Sequence, residues 1–90
     1  MIIKQTNSFK RRVNKMQKVE KEAFDEAVKV IAANPKEGQM KSGDLAGVQV
    51  FKYKHNTQQY LLAYIYVEER LMLTFIGYGS HENCYRDLKR

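Results

Sequence analysis

The sequence predicts an α+β domain: an antiparallel sheet of about four strands, with two N-terminal helices packed on one face and a short C-terminal helix. Three observations predict it. Apolar residues recur at helical spacing between positions 9 and 31, three β-like apolar runs fill positions 48 to 78, and the only proline lies between the two regions.

The elements follow in order. MIIKQT, residues 1–6, is a short β-type opening, and Asn7 and Ser8 after it are residue types that cap helices well. Phe9, Val13 and Met16 then mark one amphipathic helix, and Phe24, Ala27, Val28 and Ile31 mark a second. The polar stretch Gln17 to Lys21 either joins them as a tight antiparallel pair or bends one continuous helix. Pro35 ends the second helix, because the residue before a proline avoids helical geometry. NPKEGQMKSGDLAG, residues 34–47, holds three of the five glycines and reads as a connecting loop. VQVFKYK (48–54), YLLAYIYV (60–67) and LMLTFIGY (71–78) follow as strands of a meander, joined by HNTQQ and EER at hairpin lengths. The middle and last runs are apolar at nearly every position, as in strands covered on both faces.

Ninety residues predict one domain, spanning residues 1–90, with a single modest core. No apolar run approaches the roughly 18 residues of a membrane span. MIIKQTNSFKRR lacks an apolar stretch followed by a small-residue cleavage site, which argues against secretion. Cys84, the single cysteine, has no internal partner, so a reducing cytoplasm is expected. Sixteen Lys and Arg against ten Asp and Glu give a net charge of +6 and point to a polyanionic partner. The excess is concentrated at the start: Lys4, Lys10, Arg11, Arg12, Lys15 and Lys18 precede the first acid, Glu20. A solvated helix face accounts for the same run.

Two groupings could carry chemistry. In VQVFKYK the period-2 rule puts Phe51 and Tyr53 on one face and Lys52 and Lys54 on the other. If the aromatic pair faces the helices, the lysines stand on the sheet's open face, where a phosphate could lie across them. The second grouping is in GSHENCYRDLKR, residues 79–90, where His81 and Tyr85 at i, i+4 would project from one side of a short helix capped by Ser80. Histidine suits proton transfer near neutral pH, and tyrosine can stack on a base or hold a proton. With lysines to stabilise negative charge on phosphorus, these groups make a metal-free ribonuclease kit. Solvated strand lysines and a surface histidine beside a packed tyrosine are the plainer reading of the same residues. Two histidines, His55 and His81, without paired carboxylates beside them give a catalytic metal little support, and no cofactor is expected. Cys84 has no oxyanion motif beside it, Gly77 and Gly79 open no phosphate loop, and His55 reads as a solvated turn residue.

The order of parts, with "LAG", "FKYK", "YLLAY" and the terminal "GSHENCYRDLK", resembles toxins of the RelE/ParE superfamily of bacterial type II toxin-antitoxin systems over essentially the whole chain. The resemblance implies a RelE-like fold. For the RelE and YafQ-like branch it implies ribosome-dependent, metal-independent cleavage of messenger RNA. Lys52 and Lys54 match lysines of the first meander strand in RelE, Tyr85 matches its terminal tyrosine, and His81 resembles the YafQ-type ending. RelE carries arginines where Leu61 and His81 stand here, and Arg86 or Arg70 could replace a missing cation. On this reading Lys52, Lys54, His81 and Tyr85 are catalytic, and Arg11, Arg12, Lys15, Lys18 and Arg86 hold RNA or the ribosome. The implied partners are the ribosome, mRNA and an acidic antitoxin that forms a hetero-oligomer with an otherwise monomeric toxin. The ParE-like branch shares the fold but inhibits DNA gyrase, and a basic RNA-binding module without chemistry is the third alternative.

Overall fold

In the computed structural model, which describes residues 1–89, the chain folds as β1 (Ile2–Gln5), α1 (Asn7–Asn14), α2 (Lys18–Ala33), β2 (Gln39–Met40), β3 (Gln49–His55), β4 (Gln58–Val67), β5 (Met72–Gly79) and α3 (His81–Leu88). Arg90, the last of the terminal cations, lies outside the described residues. The strands form one sheet in the order β1-β5-β4-β3-β2. The predicted meander is β3-β4-β5, and β1 adds to its far edge in parallel with β5.

Thr6, one residue earlier than expected, caps α1: its hydroxyl accepts from the Phe9 N–H at 3.2 Å. The chain breaks at Lys15 to Gln17 and α2 begins at Lys18, so the two helices are separate and the second takes up most of the stretch read as a link. Alternation then divides the sheet. Leu62, Tyr64, Leu73, Phe75 and Tyr78 face α1 and α2 and bury Phe9, Phe24, Ala27 and Ile31. Val48, Val50, Leu61 and Ala63 face the other way and are covered by Cys84, Tyr85 and Leu88 of α3. A β-bulge makes both faces of β5 fit. Ala63 pairs with Gly77 but Tyr64 pairs with Phe75, so Ile76 is extra, and Phe75 and Tyr78, three apart, point to the same side.

The fifth strand, β2, sits inside the segment read as a loop. It pairs with β3 because two buried side chains tie down the preceding turn. The Tyr64 hydroxyl donates to the Pro35 carbonyl at 2.7 Å and accepts from the Gly38 N–H at 2.9 Å, while Gln49 Nε2 donates to the carbonyls of Pro35 and Gly38 at 3.0 and 3.1 Å. A side chain at Gly38 would meet that hydroxyl, since its Cβ would stand 2.5 Å away. Burial raises the Tyr64 pKa, so the phenol stays protonated and able to donate. Tyr64→Phe strands the buried Gly38 N–H and should lower unfolding free energy by about 1–3 kcal/mol in urea titration.

Candidate functional site

The site begins with β3. Phe51 and Tyr53 pack toward α1 and α2, and Lys52 and Lys54 are exposed on the opposite face, as the alternation requires. Register then relates them to the C-terminus. Lys52 pairs with Leu61, and Leu61 pairs with Gly79, so these three residues form one row across the sheet. Two strand spacings, roughly 10 Å, separate the ends of that row. The chain turns out of β5 at Gly79, where φ is +137°, a backbone conformation that a side chain disfavours. α3 starts two residues later.

Ser80 caps α3, its hydroxyl accepting from the Asn83 N–H at 3.3 Å, which fixes where the helix begins. His81 and Tyr85 meet on one side of it, with ring centroids 4.6 Å apart and planes inclined by 43°. Tyr85 is half-buried against the Val48, Val50, Leu61 and Ala63 face, and His81 is exposed beyond it. Lys41 joins them from the strand edge: its Nζ lies 5.8 Å from the Tyr85 ring centroid, and its backbone N–H donates to the Val48 carbonyl at 2.8 Å. Sequence reasoning missed Lys41, because nothing in a glycine-rich loop announces a two-residue strand that would carry a lysine to this face.

This side of the sheet therefore carries three lysines, an imidazole and a phenol around the place where α3 packs on Val48, Val50, Leu61 and Ala63. None of Lys41, Lys52 or Lys54 forms an ion pair among the described residues, so each ammonium is available to an anion. No group of three His, Cys, Asp or Glu side chains is placed to hold a metal among those residues.

The other expected contacts lie apart. Arg11, Arg12 and Lys15 line a cleft of about 460 Å³ between α1, the ends of β4 and β5, and α3. Arg12 turns its guanidinium onto Asp87: Nη2 donates to Oδ1 at 2.8 Å and Nε donates to Oδ2, joining α1 to α3. That hydrogen bonding raises the Arg12 pKa, and it makes Arg12 a structural residue. Arg86 pairs at 3.2 Å with Glu82, one helical turn away on an exposed surface. Lys18 is exposed at the start of α2, and Arg70 lies in the turn before β5.

A model of ParE-like toxins of type II bacterial toxin-antitoxin systems matches residues 3–89. The chain belongs to this family. No curated protein matches it by sequence. Among solved structures it is similar to a chain of the intact E. coli RelBE toxin-antitoxin complex, with TM-score 0.72 and 14% identity over 88% of this chain and 94% of that one. It is also similar to E. coli toxin RelE in the free state, in a mutant with two arginines replaced by alanine, with TM-score 0.70 and 12% identity over 94% of both chains. The ParE-like chain thus has the RelE fold, with five strands where about four were expected and helices on both faces of the sheet.

Within this toxin fold Cys84 is structural. Its thiol is fully buried, and burial pushes its pKa up to about 11. It should resist an aromatic disulfide reagent at pH 8, where it is a neutral thiol, and react fully once the chain is unfolded in denaturant.

Proposed function

We propose that this toxin inhibits translation by cutting messenger RNA on the ribosome, without a metal. What supports the reading is a single arrangement: Lys52 and Lys54 are exposed on the sheet face that α3 covers in part, and α3 carries the His81–Tyr85 pair. The 2'-hydroxyl oxygen attacks the adjacent phosphorus and the 5'-oxygen leaves, giving a cyclic phosphate and a free 5'-hydroxyl. Lys52 and Lys54 bind the scissile phosphate and offset the charge that accumulates on it. His81 transfers a proton, and Tyr85 serves as the second proton-handling group or as a platform for a base. Lys41 adds a cation beside the Tyr85 ring.

Arg11, Lys15 and Lys18 contact phosphates of the message or of ribosomal RNA, which makes binding steeply salt-dependent. No helix among the described residues is long and apolar enough to cross a membrane, and a ribosomal target places the protein in the cytoplasm. An acidic antitoxin covers the basic face of an otherwise monomeric toxin and folds as it binds. The RelBE neighbour, a toxin-antitoxin complex, supports that partner.

Incubating the protein with a defined mRNA, free and loaded on purified ribosomes, tests the function. Cleavage only of the loaded message is the expected result. Inhibition of DNA gyrase, which the resemblance to the ParE-like branch implies, is the second reading. Inhibited supercoiling by purified gyrase, with the loaded message left whole, would replace the first reading with the second.

A further inference from the structure

The cleft at the end of the sheet, walled by α1, α2 and α3, has a composition of its own. Arg11 and Lys15 point into it, and neither forms an ion pair among the described residues. Tyr60 and Tyr78 form one wall of it, and Tyr60 stands between Tyr53 and Tyr78, with ring centroids 5.8 and 5.6 Å away, so it turns an edge to the cleft. Glu20 lines it too, and its carboxylate forms no ion pair among the described residues. The Tyr78 hydroxyl donates to Glu20 Oε2 at 2.7 Å, which fixes the carboxylate, while Oε1 receives no hydrogen bond from the described residues. Burial and these hydrogen bonds raise the Tyr78 pKa, so the phenol keeps its proton and stays the donor.

Two free cations beside an oriented carboxylate would repel a simple anion in part and a simple cation in part. A ligand that is anionic at one end and rich in N–H donors at the other satisfies both. A nucleotide is such a ligand: phosphate for Arg11 and Lys15, and a base set against Glu20 and the exposed edge of the Tyr60 ring. A carboxylate accepts hydrogen bonds only, so it selects a base edge that donates. Guanine presents two adjacent donors, N1–H and the N2 amino group, whereas uracil offers one N–H between carbonyl oxygens and adenine sets its amino group beside an acceptor. The volume, about 460 Å³, lies within the roughly 300–1,000 Å³ common for small-ligand sites.

We propose that this cleft is a subsite for a guanine nucleotide of single-stranded RNA, read by Glu20 and held by Arg11, Lys15 and Tyr60. Gly79, at the end of the Lys52 row, also lines the cleft, so RNA leaving the lysines at that end would pass around the ends of β4 and β5 to enter it from the α1 and α2 side. The inference takes its substrate class from the ribonuclease reading, but binding in the cleft needs no cleavage.

The test is amide NMR of isotope-labelled protein titrated separately with 5'-GMP, 5'-AMP, 5'-UMP and inorganic phosphate. Saturable shifts at Gly79, Ser80 and Asn83 are expected, with 5'-GMP binding about tenfold or more tightly than the other nucleotides. Glu20→Gln keeps an acceptor for the Tyr78 hydroxyl and should abolish the preference for 5'-GMP. The Lys52→Ala/Lys54→Ala protein should still bind 5'-GMP in the cleft. Equal shifts from all three nucleotides and phosphate, no shifts at these amides, or a guanine preference that survives Glu20→Gln would overturn the proposal. Wild-type protein that binds 5'-GMP as expected yet leaves ribosome-loaded mRNA whole supports the subsite and removes the nuclease. Cleavage without any guanine preference in the titration does the reverse.

Discussion

Replacing Lys52 and Lys54 together by alanine should slow single-turnover cleavage of ribosome-loaded mRNA by roughly 1,000-fold, the scale expected when fixed charges facing a developing oxyanion are removed. Both side chains are exposed and unpaired among the described residues, so folding has little reason to change. Circular dichroism and the urea midpoint should match wild type. That combination separates chemistry from stability: a lost rate with a lost fold would say only that β3 needs lysines. Lys41→Ala should act in the same direction but more weakly, because Lys41 reaches the site over the Tyr85 ring rather than from the row that ends at Gly79.

The second large effect is on stability. Arg12→Ala should lower unfolding free energy by about 2–3 kcal/mol, less than the cost of breaking a wholly buried pair. Removing Arg12 strands a carboxylate whose side chain is only 7% exposed, whereas Arg12 itself is 34% exposed and partly kept in water. The loss acts where α3 meets α1, and α3 carries His81 and Tyr85. Cys84 reports the loosening directly. Its labelling by a thiol reagent in native buffer should accelerate in Arg12→Ala and stay slow in the exposed-pair variant Arg86→Ala. Unchanged labelling and an unchanged urea midpoint would mean that α3 is held by its apolar face alone, through Cys84 and Leu88.

What was legible in the sequence followed from periodicity. Phe9, Phe24, Ala27 and Ile31 repeat at helical spacing and do form the face that packs on the sheet. The alternation Phe51-Lys52-Tyr53-Lys54 assigned both faces of β3, and the Ser80 cap placed His81 and Tyr85 on one side of a helix. What was not legible depends on partners far away in the chain. β2 is too short for a pattern, and it forms because Tyr64 and Gln49 tie down residues 35–38. The bulge at Ile76 is invisible in an evenly apolar run, although it decides which face Tyr78 occupies. Arg12 read as one cation in a basic run, and its pairing with Asp87 joins residues 75 positions apart. In the sequence Glu20 is only the first acid after a basic run, and the Tyr78 hydroxyl is what orients it in the cleft.

The central claim is that the face carrying Lys52, Lys54, His81 and Tyr85 cuts translated messages, and mapping transcript 5' ends in cells tests it most directly. Wild type and His81→Ala would be expressed from a tightly repressed promoter and compared by primer extension. The account predicts new 5' ends inside translated codons for wild type and their disappearance in His81→Ala. Growth arrest with intact transcripts in both strains would contradict it.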